Sequence, residues 1–357
     1  MKIKSYIISL IFLAICFQLT GQSSATTGQK DKFTLLTMPY INRPLTLYAG
    51  QLQVNTGYKF AVRARAFDNA GKVVELKKDG NSSVLHYYFV DVKFGITNFL
   101  EAGAELNYMK RGVRTETVNY MTVLNTITVN TLTEYRGMGD MFLYASARLP
   151  WEYKWFDFRL TGGIFLPTAK SEPLKPTNTY VADAINPASF TVNYHFNNKN
   201  GFGVPVGLIS AGAKVTYSKF ALEAAFAVRN PVKEGTSIRW EATLTTDKFD
   251  YYDKPYQYLL DKTYIMDVAV HYQPVGWFNI YLNTDYTATS GGWTEYWGNK
   301  YRNPGMHILT LEPAFEIQVS PSLTIYQVAG FPVSGKNSDA SFSLFTTISY
   351  NLFPFLK

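Results

Sequence analysis

The chain has a single cysteine, only four histidines and no apolar run long enough for a membrane helix, and each scarcity removes a class of protein. Cys16 is that cysteine, and it lies in an N-terminal stretch that reads as an export signal. Lys2 and Lys4 form a short positive region, and residues 7–17 are apolar. Thr20, Gly21, Gln22 and Ser23 then supply small or polar side chains where a signal peptidase cuts. The apolar run is too short for a transmembrane helix, which needs about 20 such residues. Cleavage is expected after Gly21, with Ala25 as the alternative. Leu13-Ala14-Ile15-Cys16 approaches a lipoprotein box, but Ile15 is bulky where a small residue is required. The mature chain then holds no cysteine, so neither a disulfide framework nor a thiolate metal site is expected.

Concentrated Lys/Arg runs are also missing. The net charge of +7 includes the two signal lysines, and nucleic acid is not an expected partner. Gly137-Met138-Gly139 and Gly201-Phe202-Gly203 are isolated glycines that open no helix after a strand, so they make no phosphate cradle. No metal and no cofactor is expected. An exported chain without a membrane helix can still span a bilayer as a closed β-barrel. What is abundant points that way. Aromatic residues make up 16%, with 26 tyrosines, a bias suited to rings at membrane interfaces.

From residue 51 the sequence alternates with period two. Leu52, Val54, Tyr58, Phe60, Val62, Ala64 and Ala66 share one face; Gln51, Gln53, Asn55, Lys59, Arg63 and Arg65 share the other. A helix would scatter those charges all round. The pattern returns at 88–94, 100–108, 141–149 and 157–164. It appears again near 206–217, 220–229, 264–273, 278–288, 307–319, 323–332 and 340–350. The segment 323–332 fits least well, because Gln327 falls on its apolar face. The sequence thus predicts an all-β, antiparallel, up-and-down transmembrane barrel of about twelve strands, within a range of roughly 10–14. Turns at 97–99, 150–155, 218–219, 274–277 and 320–322 are short. Connections at 68–83, 111–137, 168–205, 230–263, 289–306 and 333–339 are long and polar, as for periplasmic turns and outer loops. The expected organisation is a signal peptide at 1–21, a periplasmic arm or short plug at 22–44, and the barrel at 45–357. A soluble sandwich shares the period, but its core would hold more large aliphatics than the Ala- and Gly-rich apolar face here. The final strand ends in aromatics at Phe342, Phe345, Tyr350 and Phe353. It resembles the terminal strand that the barrel-assembly machinery recognises, although Pro354-Phe355-Leu356-Lys357 follow it.

The polar face is the candidate functional surface. Expected lumen-lining residues are Lys59, Arg63, Arg65, Asp91, Lys93, Glu101, Glu105, Asp140, Arg148, Arg159, Lys214, Glu223, Asp267, His271, Asp285, Glu312 and Glu316. Pairing Gly95 with Glu101 in the hairpin at Asn98 would set Asp91 opposite Glu105. Such charges either make a field that selects permeants or neutralise one another across a narrow lumen. Glu101/Glu105 and Glu312/Glu316 are no hydrolytic pairs, since four residues along a strand span about 13 Å against the roughly 5–9.5 Å such chemistry uses. A lipid-hydrolase reading is weak: His271 points inward, His86 and His307 fall on the outward parity, and His195 lies in a loop. Rings cluster in two outer connections, Trp293, Tyr296, Trp297 and Tyr301 in one, Phe249, Tyr251, Tyr252, Tyr256 and Tyr258 in the other. They could stack on a ligand or pack on each other.

Three segments carry a family likeness. Lys93-Phe94-Gly95-Ile96-Thr97-Asn98-Phe99-Leu100-Glu101 resembles the strand–turn–strand signature of outer-membrane channels assigned to phenol-degradation pathways. Arg136-Gly137-Met138-Gly139-Asp140 resembles their glycine-rich strand entry, and Gly163-Ile164-Phe165-Leu166-Pro167-Thr168 a strand end before an outer loop. The likeness extends more loosely to long-chain fatty-acid transporters. It implies a passive, non-enzymatic pore in outer-membrane lipid that admits small, hydrophobic or aromatic solutes, with a gating arm before the barrel. A structural or adhesive barrel with ligand-binding loops stays open as the alternative.

Overall fold

A computed structural model describes residues 43–76, 83–121, 126–149, 155–169, 177–182, 189–198, 201–244, 249–296 and 298–352. The expected signal peptide, most of the arm, Trp297 and the last five residues lie outside the described residues. Twelve strands build the wall: β1 (Leu52–Phe67), β2 (Ser83–Thr97), β3 (Leu100–Met121), β4 (Met141–Arg148), β5 (Phe156–Leu166) and β6 (Val206–Tyr217), then β7 (Phe220–Pro231), β8 (Lys262–Val275), β9 (Phe278–Ser290), β10 (Met306–Ser320), β11 (Leu323–Lys336) and β12 (Ser338–Leu352). Each pairs antiparallel with its sequence neighbour in the wall, and β1 pairs with β12 from Leu52↔Leu352 to Phe67↔Ser338. The sheet therefore closes on itself with no free edge, and a closed barrel is one of the two structures whose backbone polar groups are satisfied inside a bilayer.

Side chains are distributed inside out. Outward positions carry large exposed apolar residues, among them Val92, Leu106, Leu143, Leu160, Ile209, Leu222, Val270, Leu282 and Ile348. A contiguous apolar belt of this kind is a surface made for acyl chains rather than water. Among the described residues, buried polar and charged side chains outnumber buried apolar ones, so the interior is the polar side. Gln327, the outward misfit, accepts a hydrogen bond through its amide oxygen from the Thr346 hydroxyl at 2.6 Å on the neighbouring strand, so these two oxygens answer each other on the lipid face. No helix among the described residues is long and apolar enough to cross a membrane.

The outer connections differ from the sequence expectation. Much of the wall continues beyond the alternating segments. β3 runs on to Met121 and pairs with a further strand, Thr126–Met138. Gly235–Leu244 pairs with Phe249–Leu259, which joins Trp293–Tyr296 and Asn299–Arg302 in a separate four-stranded sheet. The connection expected at 333–339 shrinks to Asn337, held at φ 51° between β11 and β12. Outside the hydrocarbon both strand faces can meet water, so the apolar alternation fades while the backbone pairing does not. Regular wall also begins at Leu52, seven residues later than the expected barrel boundary at 45.

Leu106 lies in the outward row with Thr56 and Val90 and is 44% exposed. Leu106→Arg, between the bilayer midplane and its outer edge, is expected to cost about 1–2 kcal/mol, read as a lowered denaturation midpoint in lipid vesicles.

Candidate functional site in the barrel lumen

The short turns and both ends of the barrel wall share one end, the periplasmic one by the turn lengths. There the chain before β1 crosses the lumen. Arg43 Nη1 lies 3.2 Å from Glu316 Oε1 on β10, and Lys214 Nζ on β6 donates to the Arg43 carbonyl. Leu45 N donates to Asp157 Oδ2 at 2.7 Å, and its carbonyl accepts from Arg159 Nη1 at 2.9 Å. Leu47 N donates to Glu101 Oε2 at 2.8 Å, and Ala49 N to Asn98 Oδ1 at 3.1 Å. β10 and β3 are five steps apart around the twelve-membered ring, so residues 43–49 span most of its width. Gly95 makes room for them: a Cβ there would sit 1.9 Å from the Tyr48 carbonyl oxygen. Hydrogen bonds to charged partners are the strong class, about 1.5–3 kcal/mol each. Beside this segment the charges alternate. Lys214 is paired across the sheet with Asp157 on one side and Glu223 on the other, and Glu223 also lies 3.9 Å from His271 Nε2. His271 is stacked on Tyr281 at 4.8 Å with its Nδ1 3.2 Å from Asn279. Arg148 donates to the Asn98 carbonyl, covers the Phe99 ring and lies 3.8 Å from Asp157.

The middle of the lumen holds two facing carboxylate pairs. Gly95 pairs with Glu101 and Asp91 lies directly opposite Glu105, as the hairpin register predicts. Lys93 Nζ is 3.5 Å from Asp91, which also accepts from Asn55 at 2.9 Å and Tyr144 Oη at 2.7 Å. Glu105 accepts from Tyr87 Oη at 2.9 Å. Across the barrel Asp267 lies directly opposite Asp285, and the next strand brings Glu312 to Asn283 at 2.9 Å. Lys59 is within electrostatic reach of Glu312, and Arg229 of Glu105, Asp267 and Asp285.

Towards the outside, Asp140 is 4% exposed, and its carboxylate ties down both ends of the connection after β5. Oδ1 accepts from Ala169 N at 3.0 Å and Oδ2 from Phe202 N at 2.6 Å. Tyr258 Oη donates to the Phe202 carbonyl at 3.0 Å, and Gly203 takes the left-handed φ of 71° beside it. Phe202 is thereby placed at the head of a file of rings. Phe202 meets Phe165 edge-on at 5.4 Å, Phe165 stacks on Phe142 at 4.3 Å, and Phe142 stacks on Tyr144 at 5.0 Å.

Three cavities follow one another through this interior. One of about 270 Å³ lies beside Leu45, lined by Arg159, Glu223, Asp267, His271, Tyr281 and Tyr326. The next, about 530 Å³, shares Arg159 and Asp267 with it and adds Asp91, Lys93, Glu101, Glu105 and Asp285. The third, about 430 Å³, shares Glu105, Phe142, Leu208 and Arg229 with the second and reaches Asp140 and Phe202.

Several expected residues behave differently from a simple lining. Arg65 leaves the column of Lys59 and Arg63, because the register shifts between Arg63 and Arg65. It pairs instead with Glu75 at 2.7 Å, with its side chain 60% exposed, while Arg63 binds Asp339 at 2.6 Å. Trp293 is covered by Lys300 of its own hairpin at 3.7 Å and Tyr301 is 51% exposed; Tyr296 ends the strand Trp293–Tyr296. His86 shares a 2.8 Å hydrogen bond with Tyr58, and His307 lies 6.2 Å from the Tyr286 ring. Sequence reasoning passed over Arg229, which shares the parity of Glu223 six residues earlier, and over Tyr87, Phe142, Tyr144 and Phe165, rings on the polar parity of their strands.

Asp140→Asn removes one acceptor of the loop clasp. Amide exchange at Ala169 and Phe202 should quicken by about tenfold or more, as losing a charge-assisted bond predicts; unchanged protection by exchange mass spectrometry would refute the clasp.

No family model matches the sequence, and no curated protein matches it. Solved structures do. An outer-membrane channel from Pseudomonas putida F1 superposes with a TM-score of 0.57 at 12% identity, over 86% of this chain and 97% of that one. The CymD monoaromatic hydrocarbon channel gives 0.44 at 10% identity, over 92% of each chain. A mutant of the TodX monoaromatic hydrocarbon channel gives 0.47 at 6%, over 89% of this chain and 93% of that one. The chain has the fold of an outer-membrane channel barrel.

Proposed function

We propose that this protein is a passive outer-membrane channel for small solutes, closed at its periplasmic end by residues 43–49 and narrowed at its outer end by Phe202. The observation that carries the reading is the file of three wall-sharing cavities running from Leu45 to Phe202. An adhesive barrel has no need of connected space along its axis. The file of Phe202, Phe165, Phe142 and Tyr144 offers a flat apolar wall beside charged groups, which suits ring-bearing or hydrophobic solutes with a polar end. In this reading the charges divide into two uses. Glu101, Asp157, Arg159, Lys214 and Glu316 hold the crossing segment. Asp91, Lys93, Glu105, Asp267, Asp285, Arg229, Lys59 and Glu312 set the field a permeant meets. Residues 22–49 then act as one arm whose last part is the plug, β12 is the strand offered to the assembly machinery, and no catalytic step is involved.

Planar-bilayer conductance of the refolded chain, with liposome swelling over sugars, fatty acids and aromatic acids, tests this directly. Deleting residues 22–49, or combining Glu101→Gln, Lys214→Met and Glu316→Gln, should raise unit conductance severalfold. A deletion variant that folds, by its heat-dependent gel mobility, yet conducts as the parent does would remove the gate. The central cavity carries five carboxylates, Asp91, Glu101, Glu105, Asp267 and Asp285, against Lys93, Arg159 and Arg229. A preference for cations follows, and Asp267→Asn with Asp285→Asn should weaken it in reversal-potential measurements under a salt gradient.

A further inference from the structure

One group of cations faces away from the lumen. On β3 the outward parity runs through Ala102, Ala104, Leu106 and Tyr108, and the next member is Lys110. Lys110 lies directly opposite Arg136 on one side and directly opposite His86 of β2 on the other. Lys110 and Arg136 are both exposed, and neither has an ion-pair or hydrogen-bond partner among the described residues. Two like charges placed directly across an antiparallel pair repel, so the arrangement costs energy unless an anion sits between them.

The level of this row identifies the anion. The row just below it consists of Tyr58, Tyr88, Tyr108 and Met138, with Tyr58–Tyr88 at 4.9 Å and Tyr88–Tyr108 at 6.3 Å. That is the outer aromatic girdle, where rings mark the edge of the hydrocarbon. Below it, down to the turns, the outward positions of β1, β2 and β3 carry no charge. Moving one row outward is about 7 Å along a strand, which sets Lys110 and Arg136 at the depth of lipid headgroups in the outer leaflet. A guanidinium fork beside an ammonium is a donor set matched to phosphate oxygens.

We propose that Lys110 and Arg136, flanked by His86 and standing on the Tyr58–Tyr88–Tyr108 row, bind the phosphate of an anionic lipid headgroup in the outer leaflet. The lipid supplies both parts of the contact: phosphate between the two cations, and acyl chains against the rings and the apolar rows beneath. This site lies on the opposite face of the wall from the lumen and is independent of whether the lumen conducts.

The test uses the full mature chain in nanodiscs of neutral phosphatidylcholine doped with lipid A, either bis-phosphorylated or dephosphorylated, with retained lipid A counted by native mass spectrometry. The wild type should retain the phosphorylated form about tenfold better than K110Q/R136Q; the dephosphorylated form should be held equally weakly by both, and K110R should behave as wild type. Heat-dependent gel mobility matching wild type certifies folding, and if the double variant does not fold, K110Q and R136Q singly should each lose part of the retention. Equal retention of the phosphorylated lipid by wild type and variants overturns the site, leaving two solvated cations. Equal retention of both lipid forms by the wild type overturns the role of phosphate. Displacement by millimolar inorganic phosphate alone overturns the lipid as its source.

Discussion

A bilayer offers no water to hydrogen-bond a strand, so every amide in the hydrocarbon must be answered by protein. The pairing of β1 with β12 meets that demand for the whole wall. Once the ring is closed, the lipid claims one face for apolar side chains, and every charge in the membrane-spanning rows is pushed to the axis. A confined interior then has to accommodate many ionic groups at close range. The lumen chemistry follows from how that crowding is relieved.

Relief takes different forms along the axis. At the periplasmic end the relief is mutual: Asp157, Lys214 and Glu223 alternate in sign across three strands, Asp157 also accepts from Leu45 N, Lys214 also donates to the Arg43 carbonyl, and Glu223 also faces His271. In the middle the register sets like beside like, at Asp91 with Glu105 and Asp267 with Asp285, and tyrosine hydroxyls, amides and Arg229 share the load. At the outer end a single carboxylate, Asp140, is occupied by two main-chain amides. A buried carboxylate satisfied by backbone N–H groups costs little, and it fixes a loop more firmly than apolar contact alone would.

How much of this could be read from residues alone depended on what surrounds each strand. Where one face meets lipid and the other the lumen, alternation is strong, and all twelve wall strands were legible, as was the opposition of Asp91 to Glu105. Beyond the lipid that contrast disappears. Segments such as Thr126–Met138, with β-formers but no apolar stripe, read as polar connections although they pair as strands. A slip of one residue between Arg63 and Arg65 has no signature in the alternation, since Arg65 keeps its place in the sequence while losing its place in the column. The rings Phe142, Tyr144 and Phe165 were missed for a related reason: period-two reasoning sorts by polarity, and an aromatic on the polar parity looks like noise until the registers line it up with others. The binding of Glu101 and Glu316 to a segment before the barrel rests on contacts 54 and 273 residues apart, which no local pattern encodes.

The seam itself has a consequence for how the molecule comes into being. Leu52 meets Leu352, so the joint needs the earliest wall strand and the latest-synthesised one together. Until the C-terminal strand emerges, β1 and β11 are both unpaired margins, and a half-made sheet exposes the very template that invites wrong partners. Such long-range closure is slow, because the entropy of bringing distant ends together is lost before any pairing repays it. Ring closure is therefore the last and committing event in building the wall, and it cannot begin before the strand ending at Leu352 has been made.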